Sequence, residues 1–392
     1  MATENYRNLF VEAGHSQDDV KQKIETAFNQ LFHGDTTNQT VYYPAGSNSN
    51  GPLACILDTA NNDVRSEGVS YGMMIAVQLD KKAEYDALWN WAKSFMYHTD
   101  TNHPAVGYFS WSMQTNGIPN DEMPAPDGEE YFVTALYFAS GRWGNGKGIY
   151  NYRVEADRLL SSLRHRTRIE GMTMKGPQTG VALFDPFRKM VRFTADIQDF
   201  NHTDPSYHLP AFYELWSRWG PVADRSFWLD AAHVSRDFFH HAANPVTGLC
   251  PEYANFDGSP WKSSLKPRAA DFRFDAWRVA MNWAVDWSWW QADPREQALS
   301  NRLLAFFKSQ GMTNYANQFT LDGKPLSNDH SPGLTAMNAV AALASTQPYA
   351  GKYVEALWNT PVPEGQYRYY DGLLYLLGML HCSGEFRIWP PN

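Results

Sequence analysis

Apolar residues recur along this chain mostly at helical spacing. Between Asp18 and His33, Val20, Ile24, Ala27, Phe28 and Leu31 fall on one face, the pattern of an amphipathic helix seated on a core. Ser16 and Asp19 resemble a capping box before it, and Gly34 supplies a stop. Comparable patterns predict helices at about 66–79, 82–98, 128–141, 152–164, 205–218, 222–241, 272–290, 294–310, 333–346, 351–358 and 369–382, twelve in all. Two stretches, Gly72–Val77 and Gly372–Leu380, are apolar nearly all round, which predicts burial on every side.

The connections differ sharply in length. Those near 80–81, 219–221 and 291–293 are short, whereas those at 35–65, 99–127, 165–204, 242–271 and 311–332 are long. Short links join antiparallel neighbours, and long links in a compact domain usually carry function. The expected fold is all-α: six helical hairpins joined by long crossovers close into an α/α toroid, one ring inside another. An irregular all-helical domain without closure is the alternative. Short strands are expected only as loop decoration, at Gly107–Ser112 and Val181–Phe184. No low-complexity or single-sign charge block divides the chain, so residues 1–392 are expected to form one domain.

Composition narrows the function. The 392 residues are 43% apolar and carry a net charge of −9, and an acidic balance argues against a nucleic-acid partner. No apolar run approaches the ~20 residues of a membrane span. The chain has 15 Trp, 21 Tyr and 22 Phe, which excludes disorder. Cys55, Cys250 and Cys382 form no CxxC motif, and the histidines His202, His208, His330 and His381 lack metal-ligand spacing. Neither a metal nor a cofactor is expected. Met1–Phe10 lacks the basic-then-apolar plan of an export signal, so a cytoplasmic location with reduced thiols is the simplest expectation. A monomer is assumed.

Phosphate loops, HExxH and dinucleotide fingerprints are all missing. What remains is carboxylates at loop–helix junctions in aromatic surroundings. Glu67 lies in Arg65-Ser66-Glu67-Gly68-Val69-Ser70-Tyr71-Gly72, Asp127 in Pro126-Asp127-Gly128-Glu129, and Asp275 in Phe274-Asp275-Ala276-Trp277-Arg278. Each also has a plainer explanation. Asp127 suits a helix N-cap, and Asp275 suits an ion pair with Arg273 or Arg278. Together they suit glycoside hydrolysis, in which one carboxylic acid protonates the leaving oxygen and a second carboxylate activates water or attacks the sugar. Trp111, Trp143, Trp261, Tyr369 and Tyr370, in or beside loops, are candidate platforms for flat sugar faces. A histidine-based sugar isomerase and a non-catalytic sugar-binding protein are the competing classes. The first lacks a convincing His pair, and the second leaves carboxylates in apolar settings without a use.

Ser66-Glu67-Gly68-Val69-Ser70-Tyr71-Gly72-Met73 resembles the signature of glycoside hydrolase family 8. The likeness continues, in the family's order, at Pro126–Glu129, Asp204–Phe212 and Phe274–Val279. Within the family the chain is most similar to members that release xylose from the reducing end of xylo-oligosaccharides. The resemblance implies an (α/α)6 barrel that cleaves β-1,4 linkages with inversion. It makes Glu67 the general acid, Asp275 the general base, Asp127 the group holding a distorted sugar, and Tyr207 a partner in fixing the attacking water. Trp111, Arg278, His330, Tyr369 and Tyr370 are the expected substrate contacts. The loop Ser327–Gly333, which contains His330, is the candidate for closing the groove to give exo action. An endo-acting xylanase or β-glucanase of the same family is the alternative.

Overall fold

The computed structural model describes residues 2, 3 and 5–392. All twelve expected helices are present: α2 (Gln17–His33), α3 (Ser66–Gln78), α4 (Lys82–Trp91), α5 (Pro126–Trp143), α6 (Tyr152–His165) and α7 (Pro210–Trp219) in the first part. The second part holds α8 (Arg225–Ala242), α9 (Val279–Trp290), α10 (Arg295–Ser309), α11 (Pro332–Ala341), α12 (Gly351–Asn359) and α13 (Arg368–Cys382). A single turn, α1 (Leu9–Glu12), precedes them. The Ser16 hydroxyl accepts from the Asp19 amide and Gly34 closes α2, as the capping pattern predicts.

Several helices start or stop differently from the periodicity. The segment expected as a helix from 205 opens with a 3-10 turn, Pro205–Tyr207, breaks at His208–Leu209, and resumes at Pro210. Proline lacks the N–H that a continuing helix needs and pushes the residue before it out of the helical region. Likewise α9 is preceded by a 3-10 turn, Phe274–Arg278, and α4 passes into a π turn at Ala92–Met96.

The long stretch 35–65, expected as a loop, is largely sheet. Strands β1 (Tyr42–Asn48), β2 (Gly51–Asp58), β3 (Asp63–Arg65), β4 (Ser112–Met113) and β5 (Pro119–Asp121) form one antiparallel sheet in that order. A separate hairpin pairs β6 (Ile169–Thr173) with β7 (Gly176–Gly180). Of the two strands expected in loops, Gly107–Ser112 keeps a bridge between Phe109 and Tyr97 and gives its last residue to β4, and Val181–Phe184 keeps a bridge between Phe184 and Val191. The five-stranded sheet lies against α3 and α4 and does not form a body of its own.

Helix α3 packs on α5 and α13, α13 on α11, α11 on α9, and α9 on α7. Between α5 and α7 the contact is made by side chains: Tyr131 stands edge-on to Phe212, and the Trp216 indole donates to the Thr134 hydroxyl. These helices are buried on nearly all sides. In α3 every residue except Glu67 is buried. Helix α2 instead buries one stripe, Val20, Ile24, Ala27, Phe28, Leu31 and Phe32. Among the described residues, no helix is long and apolar enough to cross a membrane.

Candidate active site

The starts of α3 and α5 approach so closely that side chains are excluded between them. A Cβ on Gly128 would lie 2.5 Å from the Ser66 Oγ. A Cβ on Gly68 would lie 2.5 Å from the Tyr369 ring. The two glycines thus let Glu67 and Asp127, each second in its helix, face one cavity of about 520 Å³. Trp111, Tyr207, Asp275 and Arg278 share its wall.

Arg278 organises the carboxylates. Its side chain is 1% exposed. Nη1 reaches Asp127 Oδ2 at 2.6 Å and Glu67 Oε2 at 3.1 Å, while Nη2 donates to Asp275 Oδ1 at 2.8 Å. Nη1 also donates to the Tyr71 hydroxyl at 2.5 Å. A planar guanidinium bridging both groups limits the Glu67 and Asp275 oxygens to a separation of about 8 Å or less. The ion pair foreseen for Asp275 therefore exists, but its cation is shared. Arg278 thus ties the three carboxylates to one another from the cavity wall. Nor is Asp127 an N-cap: Ala125 holds that position, and Asp127 Oδ1 accepts from the Gly128 amide.

Burial sets the protonation of this cluster. It pushes Glu67 up to about 7, with Arg278 opposing and the negative charges of Asp127 and Asp275 adding to the rise. A carboxyl group so placed holds a proton near neutral pH and can donate it. Asp275 is also raised by burial, against the pull of Arg278. Two further acids stand near Asp275. Asp204 is fully buried, and its Oδ1 accepts from the Ser206 amide at 2.7 Å. Burial and the charge of Asp275 raise it well above the carboxylate range. Glu252 is pushed up to about 8 by the same two causes. Asp204 lay within a recognised motif, but nothing in its spacing marked it as part of this cluster. Glu252 lies in Pro251–Gly258, a stretch that shares the family likeness, but its place beside Asp275 depends on tertiary contacts that spacing does not show.

The aromatic candidates divide. Trp111 lines the cavity with the Arg65 guanidinium 5.7 Å from its ring centroid. Tyr207 is buried at the wall, its ring parallel to Phe193. Phe193, Tyr253 and Lys266, none of them named as a site residue from the sequence, complete this side. Tyr369 is not a sugar platform: it is 2% exposed and donates from its hydroxyl to Glu67 Oε1 at 2.9 Å. The Tyr370 hydroxyl donates to the Phe274 carbonyl at 3.0 Å. Trp261 stacks on His202 outside the cavity. Trp143 lies at the opposite end of α5 from Asp127, its indole N–H on Asp80. His330 is exposed and apart from the cavity wall, with Nδ1 paired to the Tyr315 carbonyl and Nε2 to the Thr335 hydroxyl.

Among the described residues, one group, His98, His103 and Glu122, brings metal-ligand atoms within 4.8 Å of one another. The two imidazoles are stacked at 4.2 Å and 2° from parallel. Their in-plane lone pairs run side by side and do not converge on a common point, so the set does not fit a shared ion.

An acid with a raised pKa, a second carboxylate on the same guanidinium and aromatic walls around one cavity define a glycoside hydrolase. The chain belongs to glycosyl hydrolases family 8, whose family model matches residues 47–384. It is 42% identical to the reducing-end xylose-releasing exo-oligoxylanase Rex8A of Paenibacillus barcinonensis, over 99% of this chain and 97% of that protein. A family 8 protein of Teredinibacter turnerae, solved as a xylobiose complex, superposes with a TM-score of 0.98 at 57% identity, covering 99% of both chains. A catalytic-mutant xylanase from the same organism, in complex with xylohexaose, matches with a TM-score of 0.98 at 56% identity over 99% of both chains.

Proposed function

We propose that this chain is a single-domain inverting hydrolase that cleaves β-1,4-xylosidic bonds of xylo-oligosaccharides and releases xylose from the reducing end. The cyclic order of helix contacts supports reading the fold as an (α/α)6 toroid with the carboxylates at one mouth. Glu67 protonates the departing oxygen. Asp275, with Tyr207 beside it, orients and deprotonates the attacking water. Asp127 holds the sugar at the cleavage point, and Trp111 stacks on a neighbouring ring. The observation that carries this is the shared guanidinium: one Arg278 binds both acid and base, which places the two carboxylates at one cavity without direct contact between them being required. Cys55, Cys250 and Cys382, all buried as free thiols, suit a reducing compartment such as the cytoplasm.

Glu67→Ala and Asp275→Ala are expected to lose at least about a thousandfold in kcat on xylotriose while keeping the helical circular dichroism of the parent. Near-parental turnover by either variant would overturn the assignment. A second reading, endo-acting xylanase, is favoured by the exposed placement of His330 and by the likeness to a xylanase bound to xylohexaose. Early products from xylohexaose separate the two: mainly xylose and xylopentaose for exo action, a spread of intermediate lengths for endo action.

A further inference from the structure

Adjacent residues on a helix point about 100° apart and rarely serve one task. At the start of α13, Tyr369 and Tyr370 reach the two sides of the same cleft. Tyr369 donates to Glu67 Oε1 at 2.9 Å. Tyr370 donates at 3.0 Å to the carbonyl of Phe274, the residue immediately before Asp275. We infer that this tyrosine pair is a gauge, with Tyr369 and Tyr370 acting as positioning residues that set the spacing of acid and base from one rigid helix end. The inference rests on reading Glu67 as the acid and Asp275 as the base.

Three features support it. First, Phe274 has φ of +29°, a region that residues with a Cβ rarely adopt. Such a conformation persists only where the surroundings hold it, and the Tyr370 hydroxyl grips the carbonyl of that residue. The Tyr370 ring is braced in turn by Trp277, 5.8 Å away. Second, the Tyr369 ring fills the space that a side chain at residue 68 would need, so the Gly beside Glu67 is matched to it. Third, Arg278 draws Glu67 and Asp275 toward one guanidinium. Unopposed, that attraction would narrow the gap. The tyrosines fix each group independently of Arg278, Glu67 through its other carboxylate oxygen and Asp275 through the backbone carbonyl just before it.

The test uses conservative variants assayed on xylohexaose across pH. Tyr369→Phe removes a donor that favours ionised Glu67, so the alkaline limb of kcat/KM is expected to move up by about half a pH unit or more. Tyr370→Phe is expected to lower kcat about tenfold or more, with KM within about twofold, because misplacing the base weakens only the chemical step. Adding Phe274→Gly to Tyr370→Phe is expected to recover most of that loss, since glycine adopts positive φ without strain. A purely structural role for these rings would move melting temperature but produce neither the limb shift nor the rescue. An unmoved limb in Tyr369→Phe, parental kcat in Tyr370→Phe, or no recovery in the double variant would overturn the gauge. Glu67→Gln and Asp275→Asn serve as controls. If they stay active the catalytic reading itself fails; if they are inactive while the tyrosine variants disobey, only the gauge fails.

Discussion

Glu67 shows what a single buried carboxyl group gains and gives up. Its folded pKa of about 7 lies above the ordinary value of 4.5, so the native state binds its proton more tightly than the unfolded chain does. Stability from this group is therefore present below about pH 4.5 and is lost as pH rises toward 7. Glu67→Gln is expected to be more stable than the parent above pH 7, by on the order of 1–3 kcal/mol, with the difference vanishing in acid. Urea denaturation at pH 5 and pH 8 measures this, and equal midpoints at pH 8 would contradict the buried-acid account. The same titration governs activity, since deprotonated Glu67 cannot act as acid, and kcat/KM is expected to fall through about pH 7. Glu67, Asp127 and Asp275 were legible because each opens a segment whose following turn is apolar and aromatic, an environment in which a carboxyl group is costly without a use. The role of Arg278 was not: sequence spacing shows its tie to Asp275 three residues earlier, but not to acids 151 and 211 positions away.

At the level of elements, the twelve helices were readable because each repeats its apolar residues with one period over two turns or more. The sheet was not. Strand β1 carries Pro44, Gly46, Ser47 and Asn48, residues that suggest a turn, and its outer half is exposed. Strand β2 buries four residues in a row, Leu53–Ile56, so it lacks the alternation that marks a half-buried strand. The packed helices also hold buried charge away from the cavity. Arg236 of α8 pairs with Glu214 of α7 at 2.9 Å and with Asp286 of α9 at 2.6 Å, all three nearly inaccessible. Arg236→Met leaves Asp286 buried without its cation and Glu214 with Arg218 alone, and is expected to destabilise the fold by about 3–5 kcal/mol. The specific activity of the folded fraction should stay near parental, because this network does not touch the cavity. A shift in the urea midpoint without loss of kcat is the expected pair of results; unchanged stability would contradict the account of how α7, α8 and α9 are held.

For the whole molecule, the platforms were the hardest part to foresee. Aromatic abundance named Trp143 as readily as Trp111, yet the two serve different ends of the helical assembly. Trp143 is the last residue of α5, sixteen positions from Asp127, or about 24 Å along the axis. Only the assembled fold separates a ring that faces substrate from one that caps the far side. Catalysis depends on that assembly, in which helices distant in sequence present an acid and a base across a space that admits water. Proton NMR of xylotriose hydrolysis, followed from the first turnovers, tests it most directly. The new reducing end on xylobiose is expected to appear first as the α-anomer and only then to mutarotate. First appearance of the β-anomer would mean retention, which requires carboxylates close enough for covalent attack, and would contradict this arrangement.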